Sequence, residues 1–165
     1  MSFKHTAFIG LGSNLDNPCK QVTYALRALA RIPGIRISAS SSLYRSAPVG
    51  YCDQPDFVNA VAQLETTLSP IALLDILLGL ERECGRTREF RNAPRTLDLD
   101  VLLYDDLQHQ EHNLIIPHPE MHRRAFVLRP LWEIAPDCMI PGIGAVSEAL
   151  LHCREQQLER IGDVI

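Results

Sequence analysis

Apolar and polar residues alternate along the first half of the chain with two periods, one typical of strands and one typical of helices. Residues 6–11 are almost continuously apolar, which predicts a buried first strand, and the glycine-rich segment 10–14 is expected to turn the chain. From 18 to 32 the apolar positions lie three or four apart, which predicts an amphipathic helix that ends at Pro33. Alternation between 35 and 44 then predicts a second strand.

The next segment supplies a further strand, a helix and a strand. Residues 57–67 alternate in hydrophobicity and predict a strand, preceded by a loop over 48–56 that is rich in proline and aspartate. The Ser69-Pro70 pair is typical of a helix start, and leucines at helical spacing extend that helix to about residue 84. An apolar strand then ends at Tyr104. This order is the split βαβ pattern, so we predict an α+β, ferredoxin-like βαββαβ fold, its mostly antiparallel sheet covered by helices in three αβα layers.

The remaining third of the chain predicts an extension made chiefly of helices. Apolar residues at 115 and 116 lead to a proline-rich turn at 117–119, and helical spacing predicts helices over 126–134 and 146–158. No internal repeat or linker-like segment interrupts the 165 residues, and a chain of this length buries a substantial core. We therefore expect one domain over residues 1–165 with a C-terminal helical extension.

Composition and charge restrict the classes of function. A net charge of −4, without interleaved basic and aromatic residues, argues against nucleic acid as a partner. No apolar run approaches the roughly 20 residues that span a membrane, and no secretory signal pattern is present. The five cysteines are scattered without a CxxC pair, which favours reduced thiols over a zinc site. We expect a cytoplasmic protein whose partners are small molecules, with no membrane partner.

The strand that ends at Tyr104 carries the most informative local pattern, a pair of aspartates. Because side chains alternate along a strand, Asp98 and Asp100 share one face. Two adjacent carboxylates on an apolar strand need a neutralising cation, and an oxygen-only pair favours Mg²⁺ or Mn²⁺ over zinc. A solvated strand edge would explain the same pair if it stood alone. The opposite face is predicted to carry the strand's apolar residues Leu97, Leu99, Val101 and Leu103.

A cluster of arginines immediately precedes these aspartates. Fourteen of the sixteen basic residues are arginines, and five of them lie between positions 82 and 95 of an acidic chain. Arginine binds phosphate oxygens in a bidentate manner, so the cluster favours a phosphate-binding role over a role in solubility. The usual phosphate-binding loops are absent, because no GxxxxGK occurs and the glycines at 10 and 12 lack the third glycine of a dinucleotide fingerprint. A bound nucleotide would therefore be held by metal and arginines.

Seven short motifs, in order along nearly the whole chain, make the sequence recognisable. It resembles the 6-hydroxymethyl-7,8-dihydropterin pyrophosphokinases of folate biosynthesis. One departure lies at Asn92-Ala93, where the family commonly has a tryptophan-glycine pair. The motifs are GLGSNL at 10–15, YRSAP at 44–48, DQPDFVNA at 53–60, the segment 80–88, APRTLDLD at 93–100, IPH at 116–118 and RAFVLRPL at 124–131.

The resemblance implies transfer of the β,γ-pyrophosphoryl group of ATP to a pterin hydroxymethyl oxygen, with release of AMP. It implies that Asp98 and Asp100 hold two Mg²⁺ ions, with ATP as co-substrate, and that Arg86 and Arg95 contact the reacting phosphates. It implies a pterin site in which Phe57 and Phe126 stack on the ring. Asn59 would read the polar edge of the ring, beside a lining from Ser46, Ala47 and Val49. Further ATP contacts are implied for Glu81, Arg88, Val101, His118 and Arg124.

Two other interpretations of the sequence stay open. Another metal-dependent, nucleotide-using transferase could employ the same pair of aspartates, and nucleotidyl transfer would release pyrophosphate in place of AMP. A non-catalytic relative that binds pterin or ATP without turnover would keep the same pocket. We expect the protein to act as a monomer.

Overall fold

The computed structural model describes residues 3–15, 17–47, 55–84, 97–111 and 113–163. Its elements follow the predicted order strand, helix, strand, strand, helix, strand, with smaller elements after Tyr104. Within these ranges the α-helices are α1 (Pro18–Ala30), α2 (Pro70–Glu83), α3 (Ala125–Ile134) and α4 (Val146–Leu151), and a short 3-10 helix covers Met121–Arg123. The strands are β1 (His5–Ser13), β2 (Ile35–Ser40), β3 (Leu43–Ser46), β4 (Phe57–Thr66), β5 (Asp98–Tyr104), β6 (His109–Glu111), β7 (Leu114–Ile116), β8 (Met139–Ile140), β9 (Gly144–Ala145) and β10 (Leu158–Gly162).

Of the strands in the described part of the chain, six form the main sheet, and their pairings are antiparallel. The strand order is β10-β3-β4-β1-β5, and β2 pairs with the half of β4 that β3 leaves free. The predicted strand over 35–44 is thus two strands. Ser41 interrupts it, since its hydroxyl accepts the N–H of Val61 at 2.9 Å while its own N–H donates to the Val61 carbonyl at 2.9 Å. The predicted ferredoxin-like, antiparallel core is confirmed.

Helices cover both faces of this sheet, and each face has its own cluster of buried apolar residues. The first face packs against α1 and α2 through residues such as Ile9, Leu64 and Leu77, all fully buried. The second face packs against α3 and α4 through Leu102 and Leu128. Helix α2 begins where predicted because the Ser69 hydroxyl accepts the N–H of Ala72 at 3.2 Å, ahead of Pro70 in the first turn.

A bulge in β5 changes which residues of that strand share a face. Ile9 pairs with Val101, but its neighbour Phe8 pairs with Leu103, so Leu102 is an extra residue. Leu102 and Leu103 therefore both pack in the second-face core. The prediction that Leu103 lies on the face of the earlier odd-numbered residues is wrong. For Leu97, Leu99 and Val101 the shared first face is confirmed.

The predicted last helix over 146–158 is also wrong in its second half. Helix α4 ends at Leu151, and the chain then turns and adds β10 to the free edge of β3. Gln156 holds this turn, because its amide oxygen accepts the N–H of Ala125 at 2.8 Å and its amide nitrogen donates to the Arg123 carbonyl at 2.6 Å. The C-terminal extension thus completes the sheet as well as covering it.

Two further observations bear on the predictions made from composition. Within the described ranges, no helix is both long and apolar enough to cross a membrane. Cys19, Cys84, Cys138 and Cys153 are free thiols. The arginine-rich segment 85–95 and most of the predicted loop over 48–56 lie outside the described residues.

Candidate active site

A cavity opens on the second face of the sheet, between the strands and the start of α3. Two glycines of β1 form its floor, and neither presents a side chain towards it. Gly12 pairs with Asn59 on one side and with Asp98 on the other, and Gly10 pairs with Val61 and Asp100 in the same way. Neighbouring strands lie about 4.8 Å apart, so β4 and β5 are roughly 9.5 Å apart across β1. At each glycine no side chain fills the space between them on this face.

The structure brings eight of the predicted site residues together around this cavity. They come from three strands and the segment that begins α3, which explains why they are distant in sequence. Apolar and polar side chains line the cavity together, the composition typical of small-molecule sites. The eight residues are Ser46, Ala47, Phe57, Asn59, Asp98, Asp100, Arg124 and Phe126.

Gly10 and Gly12 lie where the sequence predicts a turn, but the structure places both within β1, which continues to Ser13. A Cβ atom at Gly12 would lie 3.0 Å from the Asn59 amide oxygen, whereas one at Gly10 would make ordinary contact with Leu102 at 3.4 Å. The signal that could have revealed their role is their spacing of two, which places both on one face of a strand.

Asn59 is buried and its amide is held in one orientation. Its amide nitrogen donates to the Ser46 hydroxyl at 2.7 Å, and the oxygen consequently points towards Gly12 and the cavity. The two aromatic rings of the cavity, Phe57 and Phe126, are half-buried, so each keeps part of its surface accessible to a ligand. Such a combination of a fixed amide and two apolar rings suits a flat, heteroaromatic ligand.

Asp98 and Asp100 are half-buried and both border the cavity, as their alternation predicts. Within the described segments, no group of three or more histidine, cysteine or acidic residues is arranged to hold a metal. Mg²⁺, however, is commonly bound through one or two carboxylates, and its other ligands are waters and substrate phosphates. A pair of carboxylates beside an open cavity therefore fits Mg²⁺ bound together with a polyphosphate.

Arg124 and His118 lie near the aspartates. The guanidinium of Arg124 lies over the Phe126 ring, 5.5 Å from its centroid, and borders the cavity. Burial lowers the pKa of His118, and the Arg124 charge lowers it further, while the Asp98 and Glu120 carboxylates act in the opposite direction. The backbone N–H of His118 donates to the Leu102 carbonyl at 2.9 Å, which fixes the residue beside β5.

Three predicted nucleotide contacts, His118, Val101 and Glu81, do not line the cavity itself. The Val101 side chain is buried in the first-face core, so only its backbone can contact a ligand. Glu81 is 2% exposed, and its carboxylate accepts the N–H of Leu99 at 2.7 Å. The other predicted site residues lie outside the described residues: Val49, Arg86, Arg88 and Arg95.

Comparisons with known proteins agree with this architecture. A family model described as 7,8-dihydro-6-hydroxymethylpterin-pyrophosphokinase (HPPK) matches residues 8–136. The chain is 45% identical over 156 residues to the 2-amino-4-hydroxy-6-hydroxymethyldihydropteridine pyrophosphokinase of Haemophilus influenzae, which covers 94% of this chain and 98% of the relative. Identity to the protein of the same name from Pseudomonas aeruginosa is 46% over 154 residues, covering 93% of this chain and 95% of the relative.

Solved structures share the fold. A crystal structure of a Plasmodium falciparum HPPK-DHPS triple mutant with pteroate superposes with a TM-score of 0.72 at 14% identity, over 89% of this chain. A structure of an HPPK-DHPS in complex with substrates gives a TM-score of 0.71 at 15% identity, again over 89% of this chain. The chain spans less than half the length of these two proteins, 43% of each.

Proposed function

The chain belongs to the 7,8-dihydro-6-hydroxymethylpterin-pyrophosphokinase family, and we propose that its second-face cavity transfers pyrophosphate from ATP to the hydroxymethyl group of 6-hydroxymethyl-7,8-dihydropterin. The products are AMP and the pterin diphosphate used in folate biosynthesis. The observation that carries this proposal is the placement of Asn59 and Asp98 on either side of Gly12, in one row across three strands. A ring held by Asn59 can thereby present a substituent towards the carboxylate pair.

Asn59 and the two phenylalanines form the proposed pterin site. Because the amide nitrogen of Asn59 already donates to Ser46, its oxygen is free to accept an N–H from the edge of the ring. Phe57 and Phe126 stack on the ring, which contributes about 0.5–1.5 kcal/mol beyond the burial of area. Ala47 borders the same cavity, and Val49 follows two residues later in the sequence.

Asp98 and Asp100 are proposed to hold two Mg²⁺ ions together with the triphosphate of ATP. Bound Mg²⁺ neutralises phosphate charge and increases the acidity of a bound hydroxyl. The chain itself positions the two substrates so that the hydroxymethyl oxygen can attack the β-phosphorus in line with the departing AMP. No described side chain is assigned the role of a dedicated general base.

Basic residues and one strand edge form the proposed ATP site. Arg124 reaches the cavity, and Arg86, Arg88 and Arg95 are proposed to contact the phosphates because they match the family's arginines. Because the Val101 side chain is buried in the first-face core, its contact with the nucleotide is proposed through the backbone. His118 lies beside the same strand, where its N–H donates to the Leu102 carbonyl.

The free thiols at Cys19, Cys84, Cys138 and Cys153 support the proposal of a reducing, cytoplasmic location.

Identification of the products tests the reaction. The protein is incubated with ATP, Mg²⁺ and 6-hydroxymethyl-7,8-dihydropterin, and the nucleotide products are separated by chromatography. We expect AMP and the pterin diphosphate in equal amounts. Release of pyrophosphate would instead indicate nucleotidyl transfer, and binding of both substrates without AMP would indicate a non-catalytic relative.

A further inference from the structure

Glu81 is a carboxylate buried on the apolar first face of the sheet. It lies in the last turn of α2 and is 2% exposed, next to helix residues that pack in the core. Burial of a carboxylate is unfavourable unless strong hydrogen bonds compensate for the lost hydration. One of these bonds is the 2.7 Å contact from the Leu99 N–H to the Glu81 Oε2 atom. At 2.7 Å this is a short hydrogen bond, at the lower end of the usual range for N–H donors and oxygen acceptors.

The position of Leu99 gives this bond its significance. Leu99 stands between Asp98 and Asp100 on β5, which is an edge strand of the sheet. Because its N–H is directed outwards to Glu81, the backbone groups of the two aspartates are directed inwards to β1. The strand is thus fixed from both sides at this point, by β1 on one side and by α2 on the other.

We propose that Glu81 is a positioning residue for the two metal-binding carboxylates and acts on them through the Leu99 backbone. The inference rests on the proposed role of Asp98 and Asp100 as ligands of Mg²⁺. Rotation of an edge strand about its partner would move both carboxylates together, and the bond to Glu81 opposes that rotation. This role differs from the direct nucleotide contact that the sequence predicts for Glu81, since the buried side chain does not line the cavity.

Substitutions at Glu81 separate the hydrogen bond from the charge. Glu81→Ala removes the acceptor. Glu81→Asp keeps a carboxyl group but shortens the side chain by one methylene. Glu81→Gln keeps a neutral acceptor of the same length. The matched control is Glu83→Ala, because Glu83 is an exposed carboxylate in the same last turn of α2.

The primary readout is binding of Mn²⁺ to the purified full-length chain, measured by electron paramagnetic resonance as an analogue of Mg²⁺. Loss of a partner that orients metal ligands typically weakens metal binding by about 10- to 100-fold, and we expect this range for Glu81→Ala. Glu81→Gln should lose less than Glu81→Ala, and Glu83→Ala should bind Mn²⁺ like the wild type. Pterin affinity and the melting temperature should change little in Glu81→Gln. If the alanine variant does not fold, Glu81→Asp provides the same comparison.

Binding of a non-hydrolysable ATP analogue, with Mg²⁺ and with EDTA, distinguishes positioning from direct contact. We expect Glu81→Gln and Glu81→Asp to weaken binding only when Mg²⁺ is present. Equal weakening under both conditions would indicate a direct nucleotide contact and would overturn the proposal. Mn²⁺ binding that stays unchanged in the Glu81 variants would also overturn the proposal. A loss of pterin binding in every Glu81 variant that parallels the loss of Mn²⁺ binding would do the same.

Asp98→Ala in the same Mn²⁺ titration shows which proposal has failed. If this variant binds Mn²⁺ like the wild type, the metal assignment within the proposed function is wrong and the Glu81 role falls with it. If Asp98→Ala loses binding but the Glu81 variants do not, only the positioning role is refuted.

Discussion

Replacement of Gly12 by alanine should weaken pterin binding specifically, through the orientation of Asn59. The new Cβ would lie 3.0 Å from the Asn59 amide oxygen, closer than nine in ten Cβ contacts in proteins. The amide must therefore give way by a few tenths of an ångström, which strains its 2.7 Å bond to the Ser46 hydroxyl and moves the oxygen proposed to bind the ring. The hydrogen bond from the ring to that oxygen contributes about 1–1.5 kcal/mol, so the pterin dissociation constant should rise by up to roughly five- to twelvefold.

Gly10→Ala is the matched control for this substitution. It adds the same methyl group to the same strand and face, but towards the side chain of Leu102 at an ordinary distance of 3.4 Å. Pterin affinity of the two variants is measured by calorimetric titration, and nucleotide affinity in parallel. A Gly12→Ala protein that binds pterin as tightly as the wild type, or a Gly10→Ala protein that loses as much, would refute the role of Gly12 in orienting Asn59.

Three further substitutions test interactions that stabilise the fold. Tyr44→Phe removes an O–H that donates to the Glu133 carboxylate at 2.6 Å, and it should lower the free energy of unfolding by about 1.5–3 kcal/mol in urea denaturation at pH 7. Burial and Glu133 raise the pKa of Tyr44 from 10.0 to about 12, so between these pH values the folded state retains the proton that the unfolded state loses. The wild type should therefore lose stability as the pH rises from 10 to 12. A Tyr44→Phe protein that loses as much stability over that interval would contradict this. Ser69→Ala removes the cap on α2 and should cost about 0.5–2 kcal/mol, with pterin affinity unchanged; a loss below that range would show that the cap contributes little. Leu128→Ala opens a cavity in the fully buried second-face core and should cost about 2–5 kcal/mol, so a near-wild-type unfolding free energy would exclude tight packing there.

Local periodicity was sufficient to predict most elements of the core. The spacing of two between Phe57 and Asn59 places them on one face of a strand, and both line the same cavity. The start of α2 could be predicted because Ser69 caps the helix within its own sequence segment. Features of this kind depend on neighbours in the sequence, so a single chain reveals them.

Features that depend on distant partners could not be predicted. The bulge at Leu102 is defined by the register of β5 against β1, which a strand's own sequence does not contain. Strand β10 forms because the edge of β3 is available to it, whereas the local spacing after Val146 suits a helix equally well. The bond between Glu81 and Leu99 joins residues eighteen positions apart across a helix and a strand, so no local pattern indicated it.

AMP release by variants of the aspartate pair tests the central claim most directly. Asp98→Asn and Asp100→Asn preserve side-chain size but remove the charge that would hold Mg²⁺. We predict that each variant folds, binds pterin like the wild type through Asn59 and the phenylalanines, and produces no measurable AMP under conditions in which the wild type does. AMP formation at near-normal rates by both variants would contradict the assignment of this cavity as the site of pyrophosphoryl transfer.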